Sequence, residues 1–105
     1  MSTTSRTTHQ AVRARRFESV IELVDAERHR QDRLKLAGRF EYTLDEAGLI
    51  GFEKLACLTE ELGEVARVLT AKAELTHDTE AGDDDLKTEL VQLVALGVAW
   101  LEGLL

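Results

Sequence analysis

An all-α fold is predicted by three features of this 105-residue sequence: it contains no proline, hydrophobic residues make up 44% of it, and they recur at three- and four-residue spacing. That spacing is the period of an amphipathic helix, and without proline little besides glycine interrupts one. The length suits one domain. The apolar content is too high for a disordered chain, and a single cysteine, Cys57, supports neither a disulfide framework nor a cysteine zinc site. No apolar run approaches the ~20 residues that span a bilayer, so no membrane partner is expected. The expected architecture is an antiparallel helical bundle, completed by oligomerisation.

Residues 1–16 carry Arg6, Arg13, Arg15 and Arg16 and no acid. Their composition is that of a transit peptide without a secretory apolar core, and they are expected to form a flexible basic tail ahead of a helical domain over 17–105. With those four arginines set aside, nine basic residues face 20 acids, a net −11 against −7 for the whole chain. Such a body repels nucleic acid, and no nucleic-acid partner is expected. Phe17, Val20, Ile21 and Val24 give the first helix, Phe17 to about Leu36, an apolar face that continues as Arg28, Gln31 and Lys35. A stripe that turns polar marks a helix emerging into water or bordering a pocket.

Gly38 ends the pattern, and Phe40 to Gly48 reads as a loop. The second helix, about Leu49 to Lys72, has a predicted core stripe of Leu55, Leu58, Leu62, Val65 and Leu69. Six acids between 74 and 85 suit a solvated connection, and Asp83–Asp85 read as the N-cap of a last helix from about Asp84 to the C-terminus. In that helix Leu90–Leu101 is apolar on every side apart from Gln92. A helix of this kind needs partners all round, which predicts a core shared between subunits.

The acids of the second helix form a stripe of their own. Cys57, Glu61, Glu64 and Val68 line up at helical spacing, with Glu60 one residue off. Carboxylates one turn apart weaken an isolated helix by roughly a few tenths of a kcal/mol, yet they hold a divalent cation well, because Mg²⁺ takes an octahedron of oxygens. Glu89 and Gln92 repeat the spacing on the last helix. An antiparallel pair brings Glu61 and Glu64 opposite Glu89 and Gln92 as four oxygen ligands between facing helices. Cys57, with no histidine at a matching position, reads as a small buried residue, and Trp100 as a core or interface residue.

At these residues the chain resembles the MazG-like, all-α nucleoside triphosphate pyrophosphohydrolases, whose signature is E-E-x-x-E followed by E-x-x-D. Glu60-Glu61-Leu62-Gly63-Glu64 matches the first half, and Glu89 opens the second after 24 intervening residues. The run Lys54-Leu55-Ala56-Cys57-Leu58-Thr59 ahead of it, and Ala26-Glu27-Arg28-His29-Arg30-Gln31 in the first helix, are similar to short phage and bacterial members. The resemblance covers about residues 20–105. One position departs: Gln92 stands where the signature has Asp, as in a subgroup of the short proteins. An amide oxygen ligates Mg²⁺ but brings no charge and cannot act as a base, which leaves the number of metal ions open.

The resemblance implies the bundle of the all-α NTP pyrophosphatases and a Mg²⁺-dependent (alternatively Mn²⁺-dependent) hydrolysis of a nucleoside triphosphate to monophosphate and pyrophosphate. Glu61, Glu64, Glu89 and Gln92 would hold the metal. Glu60, Glu61 and Glu64 would form the catalytic set, with Glu60 orienting water. Lys54, Arg67 and Lys35 are candidates for the phosphates, with Arg28 and Lys72 behind them, and Gln31 for a base edge. A cytoplasmic homo-oligomer, dimer or tetramer, is expected. The alternative is a non-catalytic MazG-like oligomer that binds nucleotide or a protein partner.

Overall fold

The computed structural model describes residues 3–38, 44–46, 48, 50–74 and 79–105. They form three helices, α1 (Thr3–Leu36), α2 (Gly51–Glu74) and α3 (Thr79–Leu104), with no strand among the described residues. The fold is all-α.

Helix α1 begins at Thr3 rather than Phe17, so residues 3–16 continue the helix instead of forming the expected flexible tail. Neither Gly nor Pro occurs between 3 and 37, and arginine and alanine are good helix formers, so no residue forces a stop. At 1.5 Å per residue α1 is about 51 Å long, which accounts for the 52 Å longest dimension of the molecule. Gly38 ends it with φ +75°, a left-handed conformation that glycine adopts freely. At the start of α2 the Ile50 carbonyl accepts bonds from the Glu53 and Lys54 amides, and Glu53 places a negative charge on the positive end of the helix. Asp83–Asp85 lie within α3 rather than at its start, because the helix extends back to Thr79. The rest of the expected acidic connection, residues 75–78, and most of the expected loop, including Phe40, lie outside the described residues.

Helix α3 is the central element, packing against both α1 and α2, which do not pack on each other among the described residues. Gly51 lies by Trp100, and the charges of Glu61 and Glu89 act on each other, so α2 and α3 run antiparallel. Val20 and Leu23 border a groove with Leu86 and Leu90, while Arg28 binds Glu102, so α1 runs in the sense of α3. Ala95 and Ala99 are fully buried, and their small side chains permit the close approach.

The inward face of α2 differs from the predicted one. Leu55, Leu62 and Leu69 are about half exposed, and the face turned to α3 holds Lys54, Cys57, Leu58, Glu61, Glu64, Val65 and Val68. Leu58 and Val65 keep their expected core positions, and Cys57 is half-buried. The face toward the bundle combines the acid stripe with Leu58 and Val65, while Leu55, Leu62 and Leu69 turn away. Periodicity finds two stripes but not which one meets α3.

At one end of the bundle Arg28 joins three segments. Only 7% exposed, it donates to Glu102 of α3 (3.0 Å), Gln31 (3.2 Å) and Asp32 (3.4 Å), and lies 3.6 Å from Asp45 in the turn before α2. Burial works against its charge, but the bond it donates to Glu102 and the fields of Asp32, Glu102 and Asp45 outweigh that and raise its pKa. Arg28 is therefore structural and not open to a phosphate. Beside it Leu44 is buried, and the Asp45 backbone presses on Gly103, where a Cβ would meet the Asp45 carbonyl oxygen at 2.7 Å.

Two glycines should therefore respond with opposite signs. Gly103→Ala forces backbone apart and should cost about 1–3 kcal/mol. A Cβ at Gly63 meets nothing within 4 Å, and Gly63→Ala should add about 0.5–1 kcal/mol through helix propensity. Urea unfolding followed by circular dichroism measures both. A Gly103→Ala protein as stable as the wild type would mean that the turn is not seated on α3.

Candidate metal centre

The acid cluster forms because each helix turns carboxylates toward the same region. On α2, Glu61 lies on the face against α3, with Glu64 one turn later. On α3, Glu89 is part-buried and interacts with Glu61. The third wall comes from α1, where Glu27 is 9% exposed and close enough for its charge to act on Glu61.

Glu61 carries the clearest signal. Its Oε2 is buried without a hydrogen-bond partner among the described residues. Its pKa is raised, first by burial, then by the charges of Glu89, Glu64, Glu27 and Glu60. A buried carboxylate oxygen with no donor, among carboxylates from three helices, is an arrangement that costs stability unless a cation joins it. Oxygen donors suit a hard divalent ion such as Mg²⁺ or Mn²⁺. No group of three or more His, Cys, Asp or Glu stands at ligand distances among the described residues. The acids converge on one region without reaching ligand spacing among the described residues.

The other predicted residues divide. Glu60 is exposed, off the inward face, but its charge reaches Glu61. Glu64 pairs with Arg67, which is itself exposed. Gln92 is part-buried and makes no side-chain hydrogen bond among the described residues, so its amide is available as a neutral ligand. Lys54 is 6% exposed, has no ion pair among the described residues, and stands two turns before Glu61, about 10 Å along the helix. Lys35 pairs with Glu46. The side chain of Lys72 lies outside the described residues.

Gln31 does not face a base edge. It is buried, its Nε2 donates to Glu27 (3.3 Å), and its Oε1 accepts from Arg28 (3.2 Å), so both ends of the amide are engaged within α1. Arg30 completes the arrangement, donating through Nε and Nη2 to the two oxygens of Glu27 at 2.7 and 2.8 Å. The Glu27 bond raises the Arg30 pKa first; burial opposes it, and the charges of Glu27 and Glu61 add to the rise. Arg30 and Glu61 act on each other through their charges, but the Arg30 fork is bound to Glu27, and burial and the surrounding acids set the net upward direction at Glu61.

Glu27 is the site residue that sequence reasoning missed. Its signal was its place one turn after Val24 and one turn before Gln31, on the side of α1 where the apolar stripe ends. No family model matches the chain, and no curated protein or solved structure matches it either.

The raised pKa of Glu61 fixes the sign of a pH effect. Between the ordinary carboxylate range, near 4.3, and the raised value, the folded protein holds a proton that the unfolded chain releases. Stability therefore falls as pH rises through that window, and the full cost of the ionised group is present above it. In chelator-treated buffer, Glu61→Gln should melt higher than wild type at pH 7, with each kcal/mol gained worth about 4–8 °C. The difference should vanish near pH 4. A lower melting temperature at pH 7 would show that ionised Glu61 is already compensated.

Proposed function

We propose that the chain is a MazG-like, divalent-metal-dependent nucleoside triphosphate pyrophosphohydrolase, working as a homo-oligomer. The buried Oε2 of Glu61, without a hydrogen-bond partner among the described residues and surrounded by acids from three helices, carries this reading. Glu61, Glu64, Glu89 and Gln92 would hold Mg²⁺ or Mn²⁺. When bound, such an ion offsets phosphate charge and activates water. Glu60, exposed beside Glu61, would orient the attacking water and accept its proton. The water oxygen bonds to the α-phosphorus, the bond from that phosphorus to the α–β bridging oxygen breaks, and pyrophosphate leaves with the bridging oxygen. Glu64, paired with Arg67, would exchange that partner for the ion. Lys54, buried on the same face as Glu61, would meet negative charge entering along α2.

The exposed apolar side chains support the oligomer. Leu55, Leu62 and Leu69 repeat every seven residues along α2, and Leu90, Val94 and Leu101 follow at spacings of four and seven along α3. Burying each leucine against a partner would contribute about 1.5–3 kcal/mol. Light scattering at micromolar concentration should find a dimer or tetramer; a monomer would remove the shared-core reading. No helix among the described residues is long and apolar enough to cross a membrane. A second reading, a nucleotide- or protein-binding oligomer without catalysis, is favoured by the neutral Gln92 and by the open spacing of the acids.

Pyrophosphate release from a panel of ribo- and deoxynucleoside triphosphates, with Mg²⁺ or Mn²⁺, separates the two. At least one nucleotide should be turned over, and Glu61→Gln should lose at least the roughly 10–100-fold that removal of a supporting group costs a metal site. No turnover of any nucleotide, or equal activity of Glu61→Gln, would overturn the enzyme reading.

A further inference from the structure

Beside the acid cluster, between α1 and α3, lies a groove of about 360 Å³ whose charge is opposite to that of the chain. Arg30 and Arg33 from α1 and Lys87 from α3 line it, and Glu27 is the one acid among its lining residues. In a chain with 20 acids against 13 basic residues, a groove lined by three cations and one acid carries a net positive lining, with Arg30 paired to Glu27 and Arg33 and Lys87 left over. Arg33 and Lys87 are exposed and have no ion-pair partner among the described residues. Arg30 is positioned by its two bonds to Glu27, made through Nε and Nη2, which leave Nη1 for another acceptor. Thr88 on the α3 wall donates its hydroxyl to the Asp84 carbonyl at 3.0 Å. Glu27 belongs to both places: it is a wall of this groove, and its charge acts on Glu61.

We propose that this groove is a polyphosphate subsite. It binds the β- and γ-phosphates of a nucleoside triphosphate through Arg30, Arg33 and Lys87, and it holds the pyrophosphate that leaves. The guanidinium fork and the ammonium suit this ligand class, because each makes charge-assisted bonds to phosphate oxygens. The assignment to β- and γ-phosphates rests on the pyrophosphohydrolase reading; binding of a free polyphosphate does not. It also places the phosphate contacts on α1 and α3, where the sequence placed them on Lys35, Lys54 and Arg67. Lys35 is already paired with Glu46.

The test is isothermal titration of the full chain, first with Mn²⁺ alone, then with inorganic tripolyphosphate, each with and without the other. Arg33→Ala/Lys87→Ala, both at exposed positions, should weaken tripolyphosphate binding roughly tenfold or more for each cation removed. Arg15→Ala/Arg16→Ala removes the same charge from α1 outside the groove and should leave binding unchanged. Equal weakening in both double variants would overturn the subsite, leaving only long-range attraction, and so would unchanged binding in the groove variant. Nucleoside monophosphate, which lacks the β- and γ-phosphates, should bind the groove variant and the wild type alike; a loss matching that of tripolyphosphate would mean that the groove reads any phosphate and would overturn the assignment. Tripolyphosphate bound through the groove without any Mn²⁺ binding would support the subsite while removing the enzyme reading. Mn²⁺ binding with tripolyphosphate indifferent to Arg33 and Lys87 would do the reverse.

Discussion

The arrangement depends on the burial of Arg28. Few large apolar side chains are buried among the described residues, with Leu44 the one that is almost fully enclosed. Hydrophobic area alone therefore does little to fix where α1 lies on α3. Arg28 supplies direction instead. Its guanidinium binds Glu102 on α3 and Asp32 on α1 and lies within ion-pair distance of Asp45, so α1, α3 and the turn before α2 share one charged junction. Those partner carboxylates are partly solvated, which moderates the junction's worth but not its geometric selectivity. A guanidinium offers several directed donors, and one that joins three segments limits how they slide past one another.

The other charged region has the opposite character. Around Arg28 cation and anions are matched, whereas around Glu61 carboxylates accumulate from three helices and one oxygen has no donor among the described residues. A fold that neutralises one buried charge closely and leaves its neighbour uncompensated concentrates its electrostatic cost in one place. Such places are where functional residues are found, because interaction with a ligand can return what folding alone does not. Arg30 and Glu27 lie between the two regions, one end of the pair toward the basic groove and the other toward the acids.

Much of this was legible in the sequence, for identifiable reasons. Helical class followed from the absence of proline and from apolar spacing, and the pairing of Glu61 with Glu89 followed from antiparallel helices joined by a short connection. The orientation of α2 was not legible, because the Leu55–Leu69 stripe and the Cys57–Val68 stripe are both regular and only packing on α3 chooses between them. Glu27 was missed for a related reason: its environment is set by α2 and α3, not by its neighbours on α1. Gln31 was assigned to a base edge because a stripe that turns polar can border a pocket, whereas here two charged neighbours on its own helix satisfy it. The extent of α1 was underestimated because a basic, acid-free segment resembles a tail in composition while retaining good helix formers.

Gln31 has a consequence of its own. Its amide stands between a cation and an anion, giving hydrogen to Glu27 and taking it from Arg28. That sequence of bonds has a polarity. Turning the amide over would set nitrogen against the Arg28 guanidinium and oxygen against the Glu27 carboxylate, donor facing donor and acceptor facing acceptor. The side chain thus has one orientation, and few residues could replace it: a glutamate there would repel Glu27, and a lysine would repel Arg28. Position 31 requires a group that is neutral yet two-faced, and through it the junction that positions α1 and the acid that borders the groove are held in a single register.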